Sequence, residues 1–139
     1  MDNDTYTRYS DNIAKLAQKT EDLEIIWQKN TKTSFFLIVK EGGNDSAIIS
    51  IQKISSALNL LGLLETPASP LYTDNYIFQI TNKQDNSVVV HLATNEIDKT
   101  KYVYLHDNIP RLYRLVEQSF DRRSVKFFDS IMEKVVKKP

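Results

Sequence analysis

The chain has 139 residues, 41% of them hydrophobic and 26% charged, a composition ordinary for a globular protein and unlike that of a disordered or fibrous chain. It has no cysteine, which excludes disulfides, thiolate metal sites and cysteine nucleophiles. The 18 basic and 18 acidic residues cancel; residues 108–139 hold eight of the basic and four of the acidic ones, a smaller excess than nucleic-acid binders usually show. We expect one domain spanning residues 1–139, with residues 121–139 as a C-terminal helical extension.

The N-terminal third of the sequence predicts a helix followed by a hairpin. Residues 4–20 predict the helix, because apolar side chains recur there at three- and four-residue steps: Tyr6, Tyr9, Ile13 and Leu16. Residues 23–28 and 34–40 predict the two strands, with a polar turn at residues 29–32. The second strand is apolar without a break from residue 35 to 39, so we expect it to be covered.

The next segment predicts a second helix and a loop. Gly42 and Gly43 end the hairpin, and residues 47–61 predict a helix whose apolar face recurs at helical spacing: Ile48, Ile51, Ile54, Leu58 and Leu61. Residues 65–74 contain two prolines and predict a loop.

The rest of the chain predicts three strands and a helical end. Asn75–Asn82 alternates apolar and polar residues, Ser87–Ala93 is nearly all apolar, and residues 101–105 are rich in Tyr and Val. A helix is predicted from residue 108 onward, with Pro110 in its first turn. Whether the chain bends into two helices at residues 119–124 is left open.

These elements predict an α+β fold with a single central, mostly antiparallel sheet of about five strands and helices on both faces. The expected order is helix-strand-strand-helix-strand-strand-strand-helix, with or without a further helix. The N-terminus is polar and acidic, unlike a secretory signal, and no apolar run is long enough for a bilayer. We therefore expect a cytoplasmic protein without membrane insertion, with a nuclear location left open.

No pattern in the sequence predicts catalysis. The two histidines, His91 and His106, have no partner at metal-ligand spacing, and a hydrogen-bonded structural role is favoured for both. Gly42 and Gly43 lack the Lys-Ser/Thr pair of a phosphate-binding loop. The sequence predicts no enzyme activity, no cofactor and no metal.

The order of the predicted elements resembles the roadblock (dynein light chain) family and its longin relatives. The resemblance covers most of the chain and is one of topology, without a sharp motif. It implies a dimerising scaffold that holds small GTPases, motor complexes or trafficking machinery. It also implies that strand Asn75–Asn82 is a pairing edge, with Tyr76, Phe78 and Ile80 as interface positions.

The C-terminal residues carry a long apolar stripe beside a basic face: Leu112, Tyr113, Val116, Phe128, Ile131 and Val135. The stripe is either core or a free surface for a partner, and the regular helical spacing favours core. Phe127 and Phe128 point about 100° apart, so one of the two is expected at the edge of the buried face, and Phe127 is predicted to contact a partner. Arg122, Arg123 and Lys126 are predicted to form a polar contact rim.

The sequence therefore predicts a non-enzymatic protein-binding adaptor or scaffold subunit of a larger complex, forming a homo- or heterodimer. One alternative is a nucleic-acid-binding subunit that uses the basic C-terminal helices. Another is a small immunity or chaperone-type binding protein, which the sequence does not separate from an adaptor.

Overall fold

The computed structural model describes residues 1–55 and 74–136, which form an α+β domain with a five-stranded antiparallel sheet. The elements in chain order are α1 (Asn3–Glu21), β1 (Gln28–Thr31), β2 (Ser34–Glu41), β3 (Asn44–Ile54), β4 (Asn75–Asn82), β5 (Ser87–Ala93), a short 3-10 helix (Thr94–Glu96) and α2 (Val103–Val136). The fold class and the antiparallel sheet predicted from the sequence are confirmed. Neither described helix is long and apolar enough to cross a membrane.

The sheet is a simple meander in which each strand pairs with the next along the chain, in the order β1-β2-β3-β4-β5. Gly42 and Gly43 form the tight turn between β2 and β3, with φ angles of 56° and 86°. A two-residue hairpin turn whose central residues both have positive φ suits glycine and matches the twist of the strands. The turn therefore leads into a third strand that begins at Asn44, and the predicted second helix does not start there.

The predicted helix at residues 47–61 is wrong over residues 47–54, which belong to β3. Isoleucines three residues apart suggested one helical face, but Ile48 and Ile51 lie on opposite faces of a strand. Ile49 pairs with Leu37 on one side and with Ile80 on the other. These long-range pairs override the local spacing. Residues 56–61 lie outside the described residues, as does most of the predicted loop at residues 65–74.

Two further strand predictions are corrected near the helices. The first strand is Gln28–Thr31 and not residues 23–28, because Trp27 is buried and its indole N–H donates to Thr20 Oγ1 at 3.0 Å. Residues 101–105 are not a strand: the Tyr102 N–H donates to the Asp98 carbonyl, and α2 begins at Val103. Pro110 therefore lies beyond the first turn. α2 is assigned as one helix from Val103 to Val136, so the described C-terminal residues do not divide into two helices.

Both described helices pack on the same face of the sheet and against each other, which places the core between them and the strands. The core is made of fully or nearly fully buried side chains: Ile13, Ala17, Phe35, Ile51, Phe78, Leu105, Ile109, Leu112, Tyr113 and Val116. The Tyr113 ring lies 5.9 Å from that of Phe35 and 5.4 Å from that of Tyr76. Helices are predicted on both faces of the sheet, but within the described residues no helix lies on the second face.

Candidate functional site

The C-terminal part of α2 runs past the edge of the packed core. Ser119 is its last buried residue, and Phe120 and Arg123 are the last that are half-buried. Every residue from 124 to 136 is exposed. At about 1.5 Å per residue, this segment extends roughly 20 Å. We call residues 124–136 the free end of α2.

The free end carries seven exposed large apolar side chains: Val125, Phe127, Phe128, Ile131, Met132, Val135 and Val136. At about 100° per residue they fall within about half of the helix circumference, so they form one continuous face. Phe127 is 71% exposed and Phe128 63%. The prediction that Phe128, Ile131 and Val135 belong to the core is therefore wrong, because no described element lies opposite them. Both phenylalanines are more exposed than a residue at the edge of a buried face would be.

Two arginines fasten the start of the free end to the rest of the domain. Arg123 Nη2 donates to the carbonyl of Leu23 at 2.6 Å and to that of Ile25 at 3.3 Å. Arg122 Nη1 donates to the carbonyl of Glu21, the last residue of α1, at 3.3 Å. Carbonyls at the end of a helix carry partial negative charge, which favours such cations.

The three basic residues of the predicted contact rim therefore have different surroundings. Arg122 and Arg123 already bind within the chain, and the Arg123 Nε is buried with no hydrogen-bond partner among the described residues. Lys126 is exposed one turn further along the helix. That these three residues contact a partner stays a prediction.

A groove of about 330 Å³ lies where the free end leaves the domain. Its walls join the loop before β1 to α2: Ile26, Trp27, Phe120, Arg123, Ser124 and Phe127. Ile26 is itself an exposed apolar residue. The apolar face of the free end therefore continues onto the body of the domain.

The predicted pairing edge is not an edge. β4 lies between β3 and β5 and pairs with both, so the edge strands of the described sheet are β1 and β5. Phe78 is buried, and Tyr76 and Ile80 pack against the core. These three residues therefore lie together on the core face of β4, away from the basic residues of α2. Their role in partner binding stays a prediction.

An apolar cavity of about 240 Å³ lies between α1 and strands β3, β4 and β5. Its walls come from one helix and three strands: Tyr9, Asn12, Ile13, Leu16, Ile49, Phe78, Ile80, Val90 and Leu92. This cavity was not predicted from the sequence. Because its walls are far apart in the sequence, no local pattern could have revealed it.

The two histidines lie in separate local pairs. His91 Nδ1 is 2.6 Å from Gln79 Oε1, and its Nε2 is 3.5 Å from Glu96 Oε1. His106 Nδ1 is 3.1 Å from Asp107 Oδ1. In residues 1–55 and 74–136, no three potential metal ligands come together. These contacts are what a hydrogen-bonded structural histidine makes.

The apolar face of the free end is the strongest candidate for a functional surface, because no described element covers it. Comparison with models of known protein families, with curated proteins and with solved structures finds no match for the chain. The resemblance to the roadblock and longin proteins therefore gains no support from relatives. The function has to be inferred from the surface itself.

Proposed function

We propose that this protein is a non-enzymatic, protein-binding adaptor subunit that dimerises through the free end of α2. The observation that carries the proposal is the continuous apolar face formed by seven exposed side chains on residues 124–136. In monomeric proteins, large contiguous apolar patches mark sites of interaction.

The size of the face supports a stable contact. A fully exposed aromatic side chain offers about 150–250 Å², so Phe127 and Phe128 together contribute roughly 200–300 Å², and the whole face on the order of 600 Å². The groove beside Ile26 enlarges it. A standard protein interface buries about 800 Å² on each partner. Two copies of this face therefore provide an area close to that of a typical dimer.

The charges of the free end favour a protein over a membrane or a nucleic acid. Its polar side carries Lys126 and Lys134 together with Asp129 and Glu133, so the segment has no net charge. Helices that lie on membranes are rich in Lys and Arg on the polar face, and nucleic-acid contacts need an excess of basic residues. A balanced helix with a wide apolar face suits another helix.

A second copy of the chain fits this surface. Phe128, Ile131 and Val135 follow the three- and four-residue steps of a helix seam, and they occupy the middle of the apolar face. Val125 and Met132 flank them on one side. Because the middle of the face carries no charge, two copies can pair without burying an unpaired ion.

Sedimentation velocity of the full chain at tens of micromolar tests the proposal. We expect a dimer that Phe128→Asp converts to a monomer, with an unchanged thermal melt. Tyr104→Asp is the matched control, because Tyr104 is an equally exposed aromatic residue at the opposite end of α2; that variant should remain a dimer. A wild-type monomer, or a dimer that survives Phe128→Asp, would contradict the proposal.

A further inference from the structure

The two edges of the sheet differ in how they are protected. β1 has only four residues, includes Lys29, and shifts its register between Lys29 and Thr31. A short strand, a lysine and an irregularity are the devices that prevent an edge from pairing with another chain. β5 also has one register irregularity, at Val89, but it has seven residues and no lysine, and Val88 and Val89 are each more than half exposed.

The outer side of β5 carries backbone groups that no other described strand pairs with. In the described part of the chain, β5 pairs with β4 alone. An edge strand leaves every second N–H and C=O unpaired toward its free side. At about 3.3 Å per residue, β5 offers roughly 23 Å of such backbone. This length suits a short extended segment.

The apolar cavity lies next to this edge. Val90 pairs with Ile80 and Leu92 with Phe78, so these four side chains share the face that lines the cavity. At about 240 Å³ the cavity is larger than the roughly 150 Å³ space that holds a benzene molecule in a protein interior. Asn12 is its one polar side chain apart from the Tyr9 hydroxyl.

We propose that β5 binds an extended, uncharged segment of a partner protein as a sixth strand, and that this segment places an aromatic or large aliphatic side chain in the cavity. Side chains alternate along a strand, so the residues of the added strand opposite Val90 and Leu92 lie on the cavity face. Main-chain hydrogen bonds then hold the segment, and the cavity selects its side chain.

The chemistry of the site explains why the segment is uncharged. The cavity wall contains no Asp, Glu, Lys, Arg or His side chain that could neutralise a buried charge. A charged residue placed on the cavity face would lose its hydration without a partner. The segment therefore alternates apolar residues toward the cavity with polar or β-branched residues toward the other face.

A second copy of the chain fits this edge less well than a peptide. If two β5 strands paired, the core-face side chains of each, Val90 and Leu92, would still line their own cavity. Both cavities would stay unfilled. An added strand of this length buries less than the roughly 1,200 Å² of a standard interface, which suits a reversible peptide complex. This site is separate from the free end of α2 and does not depend on the dimer.

A phage-displayed library of random nine-residue peptides, selected on the full chain, tests this proposal. We expect the enriched peptides to alternate apolar and uncharged polar residues with one aromatic or Leu. A synthetic copy of the most enriched peptide should slow amide hydrogen exchange in β5. Circular dichroism confirms that each variant below is folded.

Three variants locate the binding site by calorimetry with that peptide. Val88→Lys combined with Val89→Lys should weaken binding at least tenfold, since lysines block strand addition. Asn12→Trp, at the exposed mouth of the cavity, should weaken it at least fivefold. Gln28→Lys combined with Asn30→Lys on the β1 edge is the matched control and should leave the affinity unchanged.

Two results would overturn the proposal. One is the absence of any enriched peptide, or enriched peptides whose affinity the β5 and Asn12 variants leave unchanged. The other is a homodimer that the β5 lysines dissociate while no peptide binds, because the occupant of the edge would then be a second copy.

Discussion

The two halves of α2 form one continuous helix with the same apolar spacing, yet they have opposite environments. In the first half, Leu105, Ile109, Leu112 and Val116 are completely buried against α1 and the sheet. In the second half, residues 124–136 are all exposed. Helical periodicity shows which residues share a face. It does not show whether anything covers that face, which depends on how far the sheet and α1 extend beneath the helix.

The largest effect should come from shortening a side chain in the first half. Leu112→Ala should cost about 2–5 kcal/mol of the free energy of unfolding, a large share of a typical total of about 5–15 kcal/mol. Phe128→Ala removes a larger side chain from the second half but should stay within about 0.5 kcal/mol. Denaturant unfolding at a concentration where the chain is monomeric compares the two. Equal losses would contradict the difference between the halves.

The junction of the halves should show an intermediate effect. Arg123→Met removes the two hydrogen bonds to the carbonyls of Leu23 and Ile25, and charged hydrogen bonds of this kind contribute about 1.5–3 kcal/mol. Lys126→Met is the control and should leave stability unchanged, because Lys126 is exposed. Thermal melts of both variants measure the effect. An unchanged melting temperature for Arg123→Met would mean that these two hydrogen bonds contribute little to stability.

A smaller effect is expected at the other end of the core. Thr20 is buried, donates to the Leu16 carbonyl and accepts the Trp27 indole N–H. Thr20→Val would leave that N–H buried without a partner, at a cost of about 1–3 kcal/mol. Thr20→Ser keeps the hydroxyl and should recover most of the loss. If the two variants unfold alike, the hydrogen bond contributes little.

The smallest effect should be a pH dependence ahead of α2. Backbone N–H groups of Lys101 and Thr100 hold the pKa of Asp98 below its ordinary value. A lowered folded-state pKa gives stability above the unfolded pKa, and this stability is lost as pH falls through the folded pKa. The melting temperature of Asp98→Asn should therefore fall less than that of the wild type between pH 5 and 3. Parallel curves would contradict this assignment.

The strands with clear boundaries could be predicted from the sequence. Asn75–Asn82 and Ser87–Ala93 are confirmed residue for residue, because alternation or an apolar run ends at polar turns on both sides. β3 could not be predicted, because isoleucines at positions 48 and 51 fit a helix as well as a strand. Only pairing with β2 and β4 decides between them.

The candidate site could be predicted in part. The sequence marked Phe127 and the stripe of Phe128, Ile131 and Val135, but their exposure depends on tertiary packing that no local pattern contains. That β5 is an edge of the sheet could not be predicted for the same reason. The resemblance to the roadblock and longin proteins implies a pairing edge at Asn75–Asn82, but β4 lies inside the described sheet and β5 is the edge.

Removing residues 124–139 tests the central claim, that the free end of α2 is an interaction surface and not part of the core. The shortened chain keeps Arg123 and every buried residue of α2. Circular dichroism melts and sedimentation velocity should show a cooperatively folded monomer with a melting temperature close to that of the wild-type monomer. A lost or collapsed melt would show that the segment is core, and a persistent dimer would show that the interface lies elsewhere.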